Sequence, residues 1–98
     1  MPSAPGTTKV VTFYVDDEDG DDYDPPSVVV MYGLVDTEPT TIDPGQVENP
    51  AVGTYRVKCP CPTDGDYGAR LEAWDGDVQL GALEKYWHIA PSRLHVPT

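Results

Sequence analysis

Between residues 8 and 15 the chain alternates, with Val11, Phe13 and Val15 on one side and Thr12 and Tyr14 on the other. A period of two is the mark of a half-buried strand. A second strand is expected over residues 27–34, where Val28, Val30, Tyr32 and Leu34 share a face. Val29 and Met31 make the opposite face apolar as well, which implies cover on both sides or contact with a partner. Residues 54–59 alternate again, with Tyr55, Val57 and Cys59 inward against Thr54, Arg56 and Lys58. Asp64-Gly65 reads as a hairpin turn leading into residues 66–74, where Tyr67, Ala69, Leu71 and Ala73 oppose Arg70, Glu72 and Trp74. Asp75-Gly76 is a second hairpin signal, and residues 77–90 are expected to complete a C-terminal three-stranded meander. In that last strand Val78, Leu80 and Ala82 have one phase, whereas Leu83, Trp87 and Ile89 have the other. One extra residue reconciles the two, so a bulge is expected near residues 81–83.

The intervening segments are polar. Residues 16–24 carry Asp16, Asp17, Glu18, Asp19, Asp21, Asp22 and Asp24, a density of like charge that must stay in water, and Asp24-Pro25-Pro26 leaves the loop extended. Residues 35–49 are rich in Thr, Asp and Pro, with room for short edge strands near residues 40–42 and 46–48. No segment sustains a helical period; the nearest, residues 79–86, fits a strand better. The fold class expected is all-β: an immunoglobulin-like sandwich of about seven strands over residues 8–90. Residues 1–7 read as a loose arm and residues 91–98 as a surface tail.

Composition narrows the partners. Six Lys and Arg against 17 Asp and Glu give a net charge of −11, which repels the phosphates of nucleic acid and the head groups of anionic membranes. The same field favours docking on basic surfaces. No apolar run approaches the ~20 residues that span a bilayer, and the first residues lack the basic and apolar regions of a signal peptide. Retention in the cytoplasm, or assembly into something built there, is the resulting expectation. The 11 Pro and 9 Gly fall between apolar runs without a period, as turn punctuation does.

With the strands placed, a wider pattern emerges. Val11-x-Phe13-x-Val15-Asp16 leads to Asp24-Pro25-x-x-Val28-x-Val30-x-Tyr32; then come Val52-Gly53-Thr54-Tyr55-x-Val57, Asp64-Gly65-x-Tyr67-x-Ala69-x-Leu71 and Trp87-x-Ile89. This resembles the small immunoglobulin-like proteins encoded among the structural genes of tailed bacteriophages, especially those of actinobacterial hosts. Their typical features are a TGxY segment, a GxWxYxW strand and a closing FxV. The resemblance spans roughly residues 10–90. It departs where Tyr67, Ala69 and Leu71 replace the aromatic-rich strand, and where the first loop is longer and more acidic. The resemblance implies a virion structural component, on the capsid shell or at the head–tail region.

Candidate chemistry is sparse. Asp17, Asp19 and Asp21 offer calcium-type oxygens, but an EF-hand loop needs Asp at its first, third and fifth positions and Gly at the sixth. Placing Gly20 sixth puts Val15 first, and starting at Asp17 puts Asp22 sixth, so that register fails. An irregular cation loop, a plain solvated loop and a loop docking on basic residues stay open. Cys59-Pro60-Cys61 could bind zinc only if His88 and His95 converged on it. The other reading is two reduced thiols, one buried and one near a strand end, with Pro60 ending the strand between them. A disulfide two residues apart is strained. No nucleophile–base pair, phosphate loop or facing carboxylates are visible, so no enzymatic activity and no cofactor are expected.

Tyr14, Trp74, Tyr86 and Met31 fall on outward faces, where aromatics suit interfaces or sugar stacking, unless a second sheet or the tail covers them. With Asp16 and Asp22, the residues Met31, Trp74 and Tyr86 are the candidate partner-binding set. The leading functional expectation is a phage virion protein, made in the host cytoplasm and placed in the virion. It would be a capsid decoration or minor capsid accessory protein bound to capsid or head–tail subunits, other copies of itself included. A head–tail or tail-surface component, and a carbohydrate-binding sandwich using Trp74 and Tyr86, are the alternatives.

Overall fold

The computed structural model describes residues 6–90. Its strands are β1 (Thr7–Tyr14), β2 (Ser27–Leu34), β3 (Thr40–Thr41), β4 (Glu48–Ala51), β5 (Thr54–Cys61), β6 (Gly65–Asp75) and β7 (Val78–Ile89). A single 3-10 turn, Pro44–Gln46, precedes β4, its first amide taken up by the Asp43 carboxylate, which accepts from Gly45 N–H at 2.9 Å. Among the described residues there is no α-helix. Residues 1–5 and 91–98, most of the expected arm and all of the tail with His95, lie outside the described residues. Gly6 and Thr7 are already tied to the fold: Gly6 N–H donates to Cys61 C=O at 2.7 Å, and Thr7 pairs with Cys61.

Two antiparallel sheets result, one of three strands in the order β1-β5-β4 and one of four in the order β3-β2-β6-β7. Alternation decides which side chains meet between them. Val11 and Phe13 of β1 and Tyr55, Val57 and Cys59 of β5 turn inward against Val30, Ala69 and Leu71 of the other sheet, with Ile42 closing one side. Phe13 is fully enclosed and Leu71 nearly so. At one end Cys61, Tyr67 and Ile89 form a second cluster, over which the Trp87 ring stacks on Tyr67 at 5.9 Å between centroids.

The expected C-terminal meander is corrected in one respect. β6 and β7 form a hairpin, but β5 lies in the opposite sheet, so Asp64-Gly65 carries the chain across the core instead of turning it back. The backbone shows why: Gly65 has φ 134°, far from the φ near +60° of a two-residue hairpin turn, whereas Gly76 in the true hairpin has φ 59°. Packing gives the deeper reason. β5 and β6 each carry an apolar face, and in opposite sheets those two faces meet across the core.

Two local expectations also shift. Pro60 does not end β5; the strand runs on to Cys61, and both thiols are buried. Val15 N–H bonds Gly53 C=O, so odd-numbered β1–β5 pairs exchange hydrogen bonds and Thr8–Pro60 is a non-bonded pair. The missing N–H of Pro60 therefore faces the other edge, beyond the reach of β4, where a ladder needs no donor. The bulge is one position earlier than expected: Ala73 pairs with Gly81 and Trp74 with Gln79, leaving Leu80 as the extra residue. The short strand expected near residues 46–48 begins only at Glu48, because Pro44–Gln46 takes the 3-10 turn.

Candidate interaction surface

The outward positions of the four-stranded sheet build one continuous face. Register aligns them in rows: Val29, Glu72 and Ala82; then Met31, Arg70 and Glu84; then Gly33, Gly68 and Tyr86. A shallow depression crosses these rows, lined by Met31, Gly33, Pro39, Gly68, Arg70 and Tyr86. Two glycines make it shallow on one side and grip an aromatic on the other. A Cβ on Gly68 would lie 2.7 Å from the Tyr86 ring, so that ring lies directly on bare backbone while staying 65% exposed. Arg70 in the floor donates to Glu72 at 2.9 Å and to Glu84 at 3.3 Å, and these partners raise its pKa. The face thus offers Met31 and an exposed Tyr86 ring beside an ion-paired Arg70.

Of the residues singled out in the sequence, Met31, Trp74 and Tyr86 come to this one face. Trp74 stands at its far end, opposite Ser27 and Gln79, half-buried, with Nε1 donating to Glu72 at 3.3 Å. Six residues separate Trp74 from the Gly68 beneath Tyr86, which at ~3.3 Å per strand residue is roughly 20 Å. His88 closes the opposite end in a pair with Asp66 at 2.7 Å, both side chains well exposed.

Asp16 and Asp22 do not join that face. They bridge to each other at the base of the acidic loop, and Asp16 lines a cleft between the sheets with Tyr14, Val15, Leu80, Gly81 and Leu83. The loop is ordered by its own carboxylates. Asp17 Oδ1 accepts from the amides of Asp19 at 2.9 Å and Asp21 at 3.0 Å, and Gly20 takes φ 85° to close the turn. Among the described residues no three His, Cys, Asp or Glu side chains are grouped so as to hold a metal ion.

Asp24 is the acid of this region with a defined structural task. Its Oδ1 accepts from Gly53 N–H at 2.7 Å, from Tyr55 Oη at 3.2 Å and from Asn49 Nδ2 at 3.3 Å. The Gly53 amide above all, with Asn49 and Tyr55, holds this carboxyl below the usual carboxylate range. Desolvation and the Asp24 charge push the Tyr55 phenol up to about 12. A Cβ on Gly53, at φ 75°, would meet Val15 O at 2.5 Å, so glycine is required where the loop docks on this turn.

The two thiols are inert by position. Burial, then the neighbouring Cys61, pushes the Cys59 thiol up to about 12, so it stays protonated at neutral pH. Cys61 Sγ donates to Cys59 C=O at 3.2 Å and accepts from Trp87 Nε1 at 3.4 Å.

Two features escaped the sequence reading. The Asp24 latch was visible only as part of a motif, since its partners lie 25 or more residues away. The cleft along β1 and β7 was announced by the phase conflict in the last strand, which leaves Leu80 and Leu83 without cover. No helix of the described residues is long and apolar enough to cross a membrane. Comparison with protein-family models, with curated proteins and with solved structures finds no match to this chain.

Proposed function

We propose that this chain is a non-enzymatic docking module, a virion accessory protein of the capsid decoration or minor capsid type. The observation that carries the reading is the outer face of the four-stranded sheet, where Met31, the Gly33–Gly68 floor and the exposed Tyr86 ring lie around an already neutralised Arg70. Such a face combines Met, aromatic and Arg side chains, the types enriched in protein-binding patches. The acidic loop and the net charge of −11 favour a basic partner surface. The phage-like pattern of strands and turns supports the virion as the place where this happens.

The geometry favours a protein over a sugar. Trp74 and Tyr86 are roughly 20 Å apart along the sheet, too far to sandwich one sugar ring, and Trp74 is half-buried. A head–tail position uses the same face and differs only in the subunit bound.

Co-sedimentation of the purified chain with shells of any capsid protein found encoded beside its gene tests the reading. Binding that weakens with salt, and about tenfold or more in Tyr86→Ala, is the expected result. Failure to bind shells or any structural protein encoded nearby, or binding to glycans alone, would overturn it.

A further inference from the structure

We propose that two copies of this chain pair edge to edge through β7, antiparallel about Leu83, joining their four-stranded sheets into one sheet of eight. β7 is the last strand of its sheet, 12 residues long, with one edge paired to β6 and no strand among the described residues on the other. It is also unusually apolar for an open edge. Of the large hydrophobic side chains exposed among the described residues, Val78, Leu80, Leu83 and Tyr86 lie on β7 and Val10 and Tyr14 on the neighbouring edge strand β1. A long apolar edge is a template for another strand.

The hydrogen-bond phase identifies the free groups. Val35 N–H donates to Asp66 C=O, so even-numbered residues of β6 bond toward β2 and odd-numbered ones toward β7. Beyond the bulge the β6–β7 register pairs odd with odd, as in Leu71–Leu83 and Tyr67–Trp87. The backbone groups of Ala82, Glu84, Tyr86 and His88 therefore point out of the sheet, ready for a partner strand.

Charge selects the partner and the register. Although the chain carries −11, Lys9 on β1 and Glu84 and Lys85 on β7 are the only Asp, Glu, Lys or Arg on these two strands. An antiparallel self-pair must match even with even and odd with odd. Centring it on residue 84 or 85 sets like charges face to face, Glu84 on Glu84 or Lys85 on Lys85, which is destabilising. Centring it on Leu83 avoids both and brings two exposed leucines together. Lys85 of each copy then stands opposite Gly81 of the other, where a side chain meets nothing within 4 Å, at the cleft that Asp16 lines. An inward-pointing lysine ordinarily guards an edge strand; here the second copy supplies open space and a carboxylate for it.

Sedimentation equilibrium of the full chain is the test. A dimer with a Kd of about 1–100 µM is expected, tightening as added salt screens the repulsion between two acidic molecules. Ala82→Pro removes only an outward N–H and should weaken the dimer about tenfold or more, with an unchanged β-type circular-dichroism spectrum. Lys85→Glu should weaken it as well. Leu83→Cys, across a non-hydrogen-bonded pair, should form a disulfide-linked dimer on mild oxidation, and Val78→Cys should not. A chain monomeric at about 1 mM, a folded Ala82→Pro that still dimerises, or equal cross-linking from residues 78 and 83 would each overturn the proposal. If Ala82→Pro fails to fold, the cross-linking pair decides.

Discussion

Phe13 carries the core most directly. It is fully enclosed between the sheets, so Phe13→Ala should cost about 3–5 kcal/mol, and Leu71→Ala about 2–5 kcal/mol, in urea denaturation. Both residues stand out in the sequence because their strands alternate cleanly, and every inward position from Tyr67 to Ala73 is buried as the period requires. Asp24 could not be ranked that way, because one acid among many looks like its neighbours until its partners are placed. Its carboxyl is held below its unfolded range near 3.9, so its contribution is present above about pH 4 and lost as pH falls through the lower folded value. Asp24→Asn keeps an acceptor but cannot titrate. Thermal melting between pH 3 and 7 should therefore show a shallower acid limb in Asp24→Asn than in the wild type, and parallel limbs would contradict the latch.

Strands were legible where one face is buried and turns where a single residue type governs them, as at Asp75-Gly76. What the sequence left open was which strands share a sheet. Asp64-Gly65 has the composition of a hairpin, yet Gly65 takes φ 134° and the chain crosses to the other sheet, where the apolar faces of β5 and β6 meet across the core. Pro60 misled in the same way: proline ends a strand only where its N–H is needed, and here that side of β5 is open. The continuity of β5 has a chemical consequence. Neither Cys59 nor Cys61 should react with a thiol reagent such as Ellman's in the native protein, and both should react once it is unfolded. One thiol reacting rapidly in the native state would place the end of β5 before Cys61. The bulge at Leu80 belongs to this scale too. It lets Leu83, Trp87 and Ile89 face inward, but no strand of the smaller sheet covers the first half of β7, and Leu80 and Leu83 stay exposed.

For the whole molecule, the division of surfaces matters more than any single site. Acids gather in the loop over residues 16–24, the outer face of the four-stranded sheet sets Met31 and Tyr86 around an ion-paired Arg70, and the β1 and β7 edges are nearly uncharged. Pairing through β7 would set two outer faces side by side, so that a weak contact by each is strengthened by the other. The central claim is that the face bearing Met31, Trp74 and Tyr86 is the one that docks. Hydroxyl-radical footprinting reads it directly, since Met, Trp and Tyr side chains oxidise readily when solvent reaches them. On a capsid shell that binds the chain, oxidation of Met31 and Tyr86 should fall severalfold and that of the half-buried Trp74 should fall with them. Equal oxidation of Met31 and Tyr86 in the free and bound protein would contradict the account.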